Sequence, residues 1–132
     1  MSKGNTFEED LLKLIFNGTA IANLADNASS SPLSNLYLAL HTADPGEGGS
    51  QNTSEVSYTG YARVAVPRNS GGWAVTGGSV SPAAAIEFGE MTSGTNGTAT
   101  HVSIGTAASG AGKVLYKGAL TPSIAYAVGV VP

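Results

Sequence analysis

The chain has 132 residues, a formal net charge of −3, no cysteine, and only 11% charged residues against roughly 25% in an average soluble protein. One small domain with a thin core fits that length. The six Lys and Arg are scattered, which excludes a phosphate-binding stripe, and the absence of cysteine excludes disulfides and thiolate metal sites.

The first predicted element is a helix. Thr6-Phe7-Glu8-Glu9 has the form of a capping box, with acidic residues placed where the helix dipole favours them. Phe7, Leu11, Leu14 and Ile15 repeat at helical spacing and share one face, and Asn17-Gly18 is the expected stop. A helix this short must bury that face, either against its own domain or as an arm on a neighbouring subunit. Residues 19–34 are polar and end in Ser29-Ser30-Ser31-Pro32, so residues 1–34 read as a helical arm plus linker.

From residue 35 the period becomes two. Leu36, Leu38 and Leu40 alternate with Tyr37, Ala39 and His41. A turn-rich loop follows from Thr42 to Ser50, with Pro45-Gly46 suited to a type II turn. Further strands are expected at Tyr61–Val66, ended by Pro67, and at Trp73–Thr76 and Ser79–Ser81 around a Gly77-Gly78 hairpin turn. Ala84–Phe88, Thr98–Ile104, Lys113–Ala119 and Ile124–Val131 complete about eight strands. Residues 35–132 therefore read as an all-β, antiparallel sandwich of jelly-roll type, carrying one N-terminal amphipathic helix.

Catalytic and ligand-binding motifs are sparse. His41 and Asp44 form H-x-x-D, but a metal site needs a third convergent ligand, and His101 is far away in sequence. The local reading is that His41 bonds the loop and Asp44 caps its turn. Gly110-Ala111-Gly112-Lys113-Val114 resembles the end of a phosphate loop; Ala107 stands where glycine is required and Val114 where Ser or Thr is. Glu87, Glu90, Asp44 and Glu55 have no spacing that pairs two carboxylates for glycoside hydrolysis, and no nucleophile elbow occurs. Tyr58, Tyr61, Trp73, Tyr116 and Tyr126 serve either a sugar-binding platform or ordinary packing. Arg63 reads as an internal ion-pair partner. No catalytic residue, cofactor or metal is expected, and no nucleic-acid or membrane partner: no apolar run approaches the roughly 20 residues of a membrane span. The N-terminus has no secretory-signal pattern. Four Asn-x-Ser/Thr sequons, at Asn17, Asn27, Asn52 and Asn96, read as by-products of composition. Low charge and a mean hydropathy of +0.08 fit a surface largely covered by partners.

The stretch Leu36-Tyr37-Leu38-Ala39-Leu40-His41-Thr42-Ala43-Asp44-Pro45, with Tyr58-Thr59-Gly60-Tyr61-Ala62-Arg63-Val64, is similar to small structural proteins of tailed bacteriophages. Gly72–Gly77 and Val102–Thr106 extend the resemblance. Some members of that group are labelled tail-fibre proteins; others resemble capsid cement, or decoration, proteins. The resemblance implies a virion protein made in the host bacterial cytoplasm. The expected role is cement on the capsid surface: a dimer or trimer that clamps neighbouring copies of the major capsid protein. A tail-fibre or glycan-binding, receptor-binding module is the alternative. The expected contact residues are Phe7, Leu11 and Ile15 on the helix, and Asp44, Pro45, Glu47 and Gln51 on the long loop.

Overall fold

The computed structural model describes residues 3–21 and 32–132. Most of the expected linker, and the Asn27 sequon, lie outside the described residues. The fold is all-β and antiparallel with one N-terminal helix. The chain packs as two compact units: Met1–Leu36 with Val66–Ala85, and Tyr37–Ala65 with Ile86–Pro132. The hairpin expected to belong with the sandwich is thus grouped with the helix.

In the first unit, α1 spans Asn5–Leu12 and runs on into a single π-helical turn, Lys13–Asn17. Its N-cap is Gly4, without a side-chain cap bond. The helix starts before Thr6, with the Glu8 amide donating to the Gly4 carbonyl at 3.0 Å. Thr6 therefore lies inside the first turn, where its hydroxyl cannot cap, and the expected capping box does not form. The stop falls as expected: Gly18 is left-handed at φ +65°, and its amide and that of Thr19 both reach the Lys13 carbonyl.

The π turn changes which face is buried. A step of five residues from Leu11 leads to Phe16 instead of Ile15. Phe16 is 1% exposed, while Phe7 is 41% exposed and Leu11, Leu14 and Ile15 are half-buried. Phe16 packs edge-on to Trp73, with ring centroids 4.7 Å apart. Trp73 opens the hairpin of β3 (Trp73–Thr76) and β4 (Ser79–Pro82), joined through Gly77 at φ +58°. Arg68 donates to three carbonyls: Nε to Ile15 at 2.6 Å, Nη2 to Leu14 and Nη1 to Leu33, both at 2.8 Å. Two of these carbonyls lie in the last helical turn, where they have no intrahelical donor.

The larger sheet has the order β2-β1-β5-β6. β1 is Asn35–His41, β2 Val64–Pro67, β5 Gly97–Gly105 and β6 Val114–Tyr126. β1 is interior to the sheet, and all of Leu38 to His41 are buried, so alternation fails over its second half. Six strands form among the described residues instead of about eight. One reason is fusion: the two expected C-terminal strands share β6, where Leu120–Ser123 bulge opposite Thr100 between the pairs Ala99↔Ile124 and His101↔Ala119. Another is that Ala84–Phe88 joins no ladder. Its Phe88 amide bonds the Pro132 carbonyl, and Met91 exchanges bonds with Gly129 and Val130. Phe88 and Met91 are buried, so the segment serves the core of the second unit without being a strand. No helix among the described residues is long and apolar enough to cross a membrane.

Candidate functional site

The densest polar cluster of the second unit is built on Arg63, whose side chain is 1% exposed. Its Nε and Nη2 grip Glu55 in a bidentate pair, at 2.7 and 2.8 Å. Nη1 donates to the Ala107 carbonyl at 2.9 Å and Nη2 to the Gly110 carbonyl at 2.6 Å. One guanidinium thus ties the loop after β1 to the turn between β5 and β6. Hydrogen bonding to Glu55 raises the Arg63 pKa further. Tyr61 donates to Glu55 at 2.9 Å and accepts from the Leu40 amide at 3.0 Å, and burial pushes its phenol well above the ordinary range.

Gln51 completes the clamp from within. It is 0% exposed, donates to the Tyr37 carbonyl at 3.0 Å, and accepts from the Ala107 amide at 3.0 Å. A Cβ at Gly105 or Gly112 would collide with the Gln51 side chain. Gly112 of the phosphate-loop-like segment is there to make room for an amide, and the segment is the β5–β6 turn.

His41 is also 0% exposed. Its Nδ1 faces the Thr53 carbonyl and its Nε2 the Ser103 hydroxyl, both at 2.8 Å. A carbonyl only accepts, so Nδ1 carries the proton and Ser103 donates to Nε2. Burial lowers the His41 pKa and keeps the ring neutral. His101 is its cross-strand partner, but the His101 ring bonds Thr100. No three His, Asp or Glu side chains cluster as metal ligands among the described residues. Asp44 accepts from the Gly46 amide at 2.8 Å and pairs with Lys117 at 2.9 Å, and both contacts, Lys117 foremost, lower its pKa. The local readings of His41, Asp44 and Arg63 match this geometry.

The expected contact residues divide. Phe7, Asp44 and Glu47 are exposed; Leu11 and Ile15 are half-buried. Pro45 and Gln51, expected with them on the loop, are buried within the chain, where Gln51 turns inward to the Tyr37 carbonyl of β1. Of the five aromatic residues weighed for a sugar platform, Tyr58, Trp73 and Tyr126 are buried, Tyr61 is half-buried, and Tyr116, at 42%, is exposed. Tyr126, Tyr58, Tyr61 and Phe88 form a chain of ring contacts 5.3 to 5.9 Å apart, so they pack and form no open platform. Sequence reasoning missed Glu55 and Gln51 as framework residues. The Arg63 ion-pair expectation was the one signal that could have led to Glu55.

Between the clamped loops lies a cleft of about 510 Å³, lined by Asn52, Ser57, Tyr61, Arg63, Ser109 and Gly110 among others. Arg63 and Glu55 of the clamp are among its lining residues.

The family model for podophage GP4 fiber I protein gp80 matches residues 2–131. The chain belongs to this family. As a gp80-family member it is a bacteriophage virion structural protein, in agreement with the resemblance carried by Leu36–Val66. The family description names a fibre and carries nothing specific to a shell cement. No curated protein matches the chain.

Proposed function

We propose that this chain is a fibre module of a podophage-type virion, acting through protein contacts and carrying no catalytic group of its own. The observation that supports this most is the family match over nearly the whole chain. The clamp adds to it. Arg63, Glu55, Gln51 and His41, the residues best suited to chemistry, are each committed to internal hydrogen bonds. Low net charge and an exposed Phe7 suit a protein that assembles with neighbours, including copies of itself. A symmetric ring or bundle at the tail would need a small fixed number of copies.

Capsid cement is the second reading. The Leu36–Val66 resemblance carries it, and that resemblance spans both head and tail proteins. One measurement separates the two: copies per purified particle by quantitative mass spectrometry, together with particles lacking the protein. A fibre module gives few copies, and its loss impairs adsorption while heads keep their melting temperature. Hundreds of copies, with heads that melt earlier without them, would replace the fibre reading with cement.

A further inference from the structure

The chain holds two Asn-Gly pairs, Asn17-Gly18 and Asn96-Gly97, and the fold treats them in opposite ways. In such a pair the second residue has no Cβ, so its backbone nitrogen meets least hindrance in approaching the Asn side-chain carbonyl. At Asn17 that approach is blocked. Its side-chain oxygen is buried, and the Gly18 amide is engaged by the Lys13 carbonyl in the left-handed helix stop. Asn69-Ser70, with another small successor, is also held: Asn69 Oδ1 accepts from the Gly71 amide at 2.9 Å and from the Gly72 amide at 3.2 Å. Asn96 differs from both. It is exposed, lies outside helix and strand, and its side chain has no hydrogen-bond partner among the described residues. Gly97 follows as the first residue of β5, at the end of the β5–β6 ladder, where local opening costs least.

The fold itself requires the glycine that exposes Asn96 to attack. A Cβ at Gly97 would collide with the Tyr126 hydroxyl, and Tyr126 is buried against Tyr58. We propose that Asn96 is a site of spontaneous deamidation, through which the end of the β5–β6 ladder changes its charge and its backbone as the protein ages. The Gly97 backbone nitrogen gives up its proton and bonds to Asn96 Cγ. The Cγ–Nδ2 bond breaks, ammonia leaves with that proton, and a succinimide closes. Water then opens the ring at one of its two carbonyls, giving aspartate or isoaspartate. Either product adds a negative charge at neutral pH. Isoaspartate also routes the main chain through Cβ and Cγ. That lengthens the backbone by one carbon directly before Gly97, which is packed under the Tyr126 hydroxyl, and so loosens the start of β5 against the end of β6.

The test uses the full purified chain and does not depend on where it sits in the particle, so it can fail while the fibre reading stands, and the reverse. The folded chain is aged in mildly alkaline buffer, which favours loss of the amide proton, beside a sample unfolded in urea at the same pH. Tandem mass spectrometry of peptides locates each conversion of amide to acid, and chromatography separates aspartate from isoaspartate. In the folded chain Asn96 should convert at least about tenfold faster than Asn17 and Asn69, because only it reacts without local unfolding. In urea Asn17 should approach the rate of Asn96. Hydrogen exchange in the aged chain should quicken at residues 97–99 and 124–126, which pair across the ladder end, while an Asn96→Gln chain aged alongside keeps the fresh profile. The rate comparison needs no variant, so it decides even where Asn96→Gln is unstable. An Asn96 that stays intact in the folded chain while the unfolded chain converts, or equal rates at Asn17 and Asn96 in the folded chain, would overturn the proposal. Unchanged exchange at residues 97–99 in the isoaspartate form would overturn the loosening of the ladder end.

Discussion

Arg63 and Arg68 stand on either side of β2 in the chain, and each stitches distant segments of its own unit through backbone carbonyls. Their settings differ. Arg63 is 1% exposed and holds a carboxylate as well as two carbonyls. Arg68 is half-buried and donates to carbonyls at the end of the helical arm and to Leu33. The same guanidinium fork therefore makes a buried framework in one unit and a wet helix cap in the other. Burial decides what its loss costs, because water can replace a lost donor only where it can reach.

The largest expected effect follows from Arg63. Arg63→Met keeps the apolar stem but leaves the Glu55 carboxylate, 17% exposed, without its cation, and strands the Ala107 and Gly110 carbonyls. Breaking a buried pair from one side costs about 3 kcal/mol or more. Urea unfolding should show that loss, and Glu55→Gln added to Arg63→Met should recover part of it. A loss below about 1 kcal/mol would mean the pair behaves as a surface salt bridge, and the contrast with Arg68 would vanish.

Arg68→Ala should cost less, about 1 kcal/mol, because the half-exposed carbonyls of Leu14 and Ile15 can turn to water. The effect should also be local. Hydrogen exchange should speed up over residues 5–17 and leave β1 and β5 protected. Equal loosening of both regions, or a cost equal to that of Arg63→Met, would break the distinction between the units.

How far the sequence discloses this architecture depends on the range of the interaction involved. The Gly77-Gly78 hairpin, the Gly18 stop and the Asp44 turn are set by residues a few positions apart, so composition reveals them. The helix face was displaced because a π turn shifts the period by one residue, and nothing in Lys13–Asn17 advertises it. The interior position of β1 and the inward turn of Gln51 are long-range facts. Gln51 meets Tyr37 and Ala107, far from it in sequence, and its burial rests on space left by Gly105 and Gly112. Each of those glycines reads alone as a turn residue. The cleft inherits that illegibility, because it exists only once the clamp has closed the two loops on each other.

The smallest expected effect distinguishes the units by acidity. His41 is buried in the second unit between the Thr53 carbonyl and the Ser103 hydroxyl, with Glu55 and Arg63 acting on it through space in opposite senses and His101 adding to Arg63. Burial dominates, and its folded pKa lies below the ordinary value of about 6.5. The unfolded chain therefore takes up a proton first as pH falls through about 6.5, while the folded chain does not. The sign follows: stability is full above that pH and declines below it, until the folded ring itself protonates and the slope disappears. Asp44, whose pKa is lowered by Lys117 and the Gly46 amide, adds a second decline only below its ordinary value of about 3.8, and it is exposed enough for that contribution to be slight. Urea midpoints between pH 7.5 and 5 should fall in the parent chain. The slope should be absent in His41→Gln, whatever that variant loses at neutral pH. A parent chain with a flat profile across that window would mean that His41 is as well solvated folded as unfolded, and that the interior of the second unit is wetter than its geometry implies.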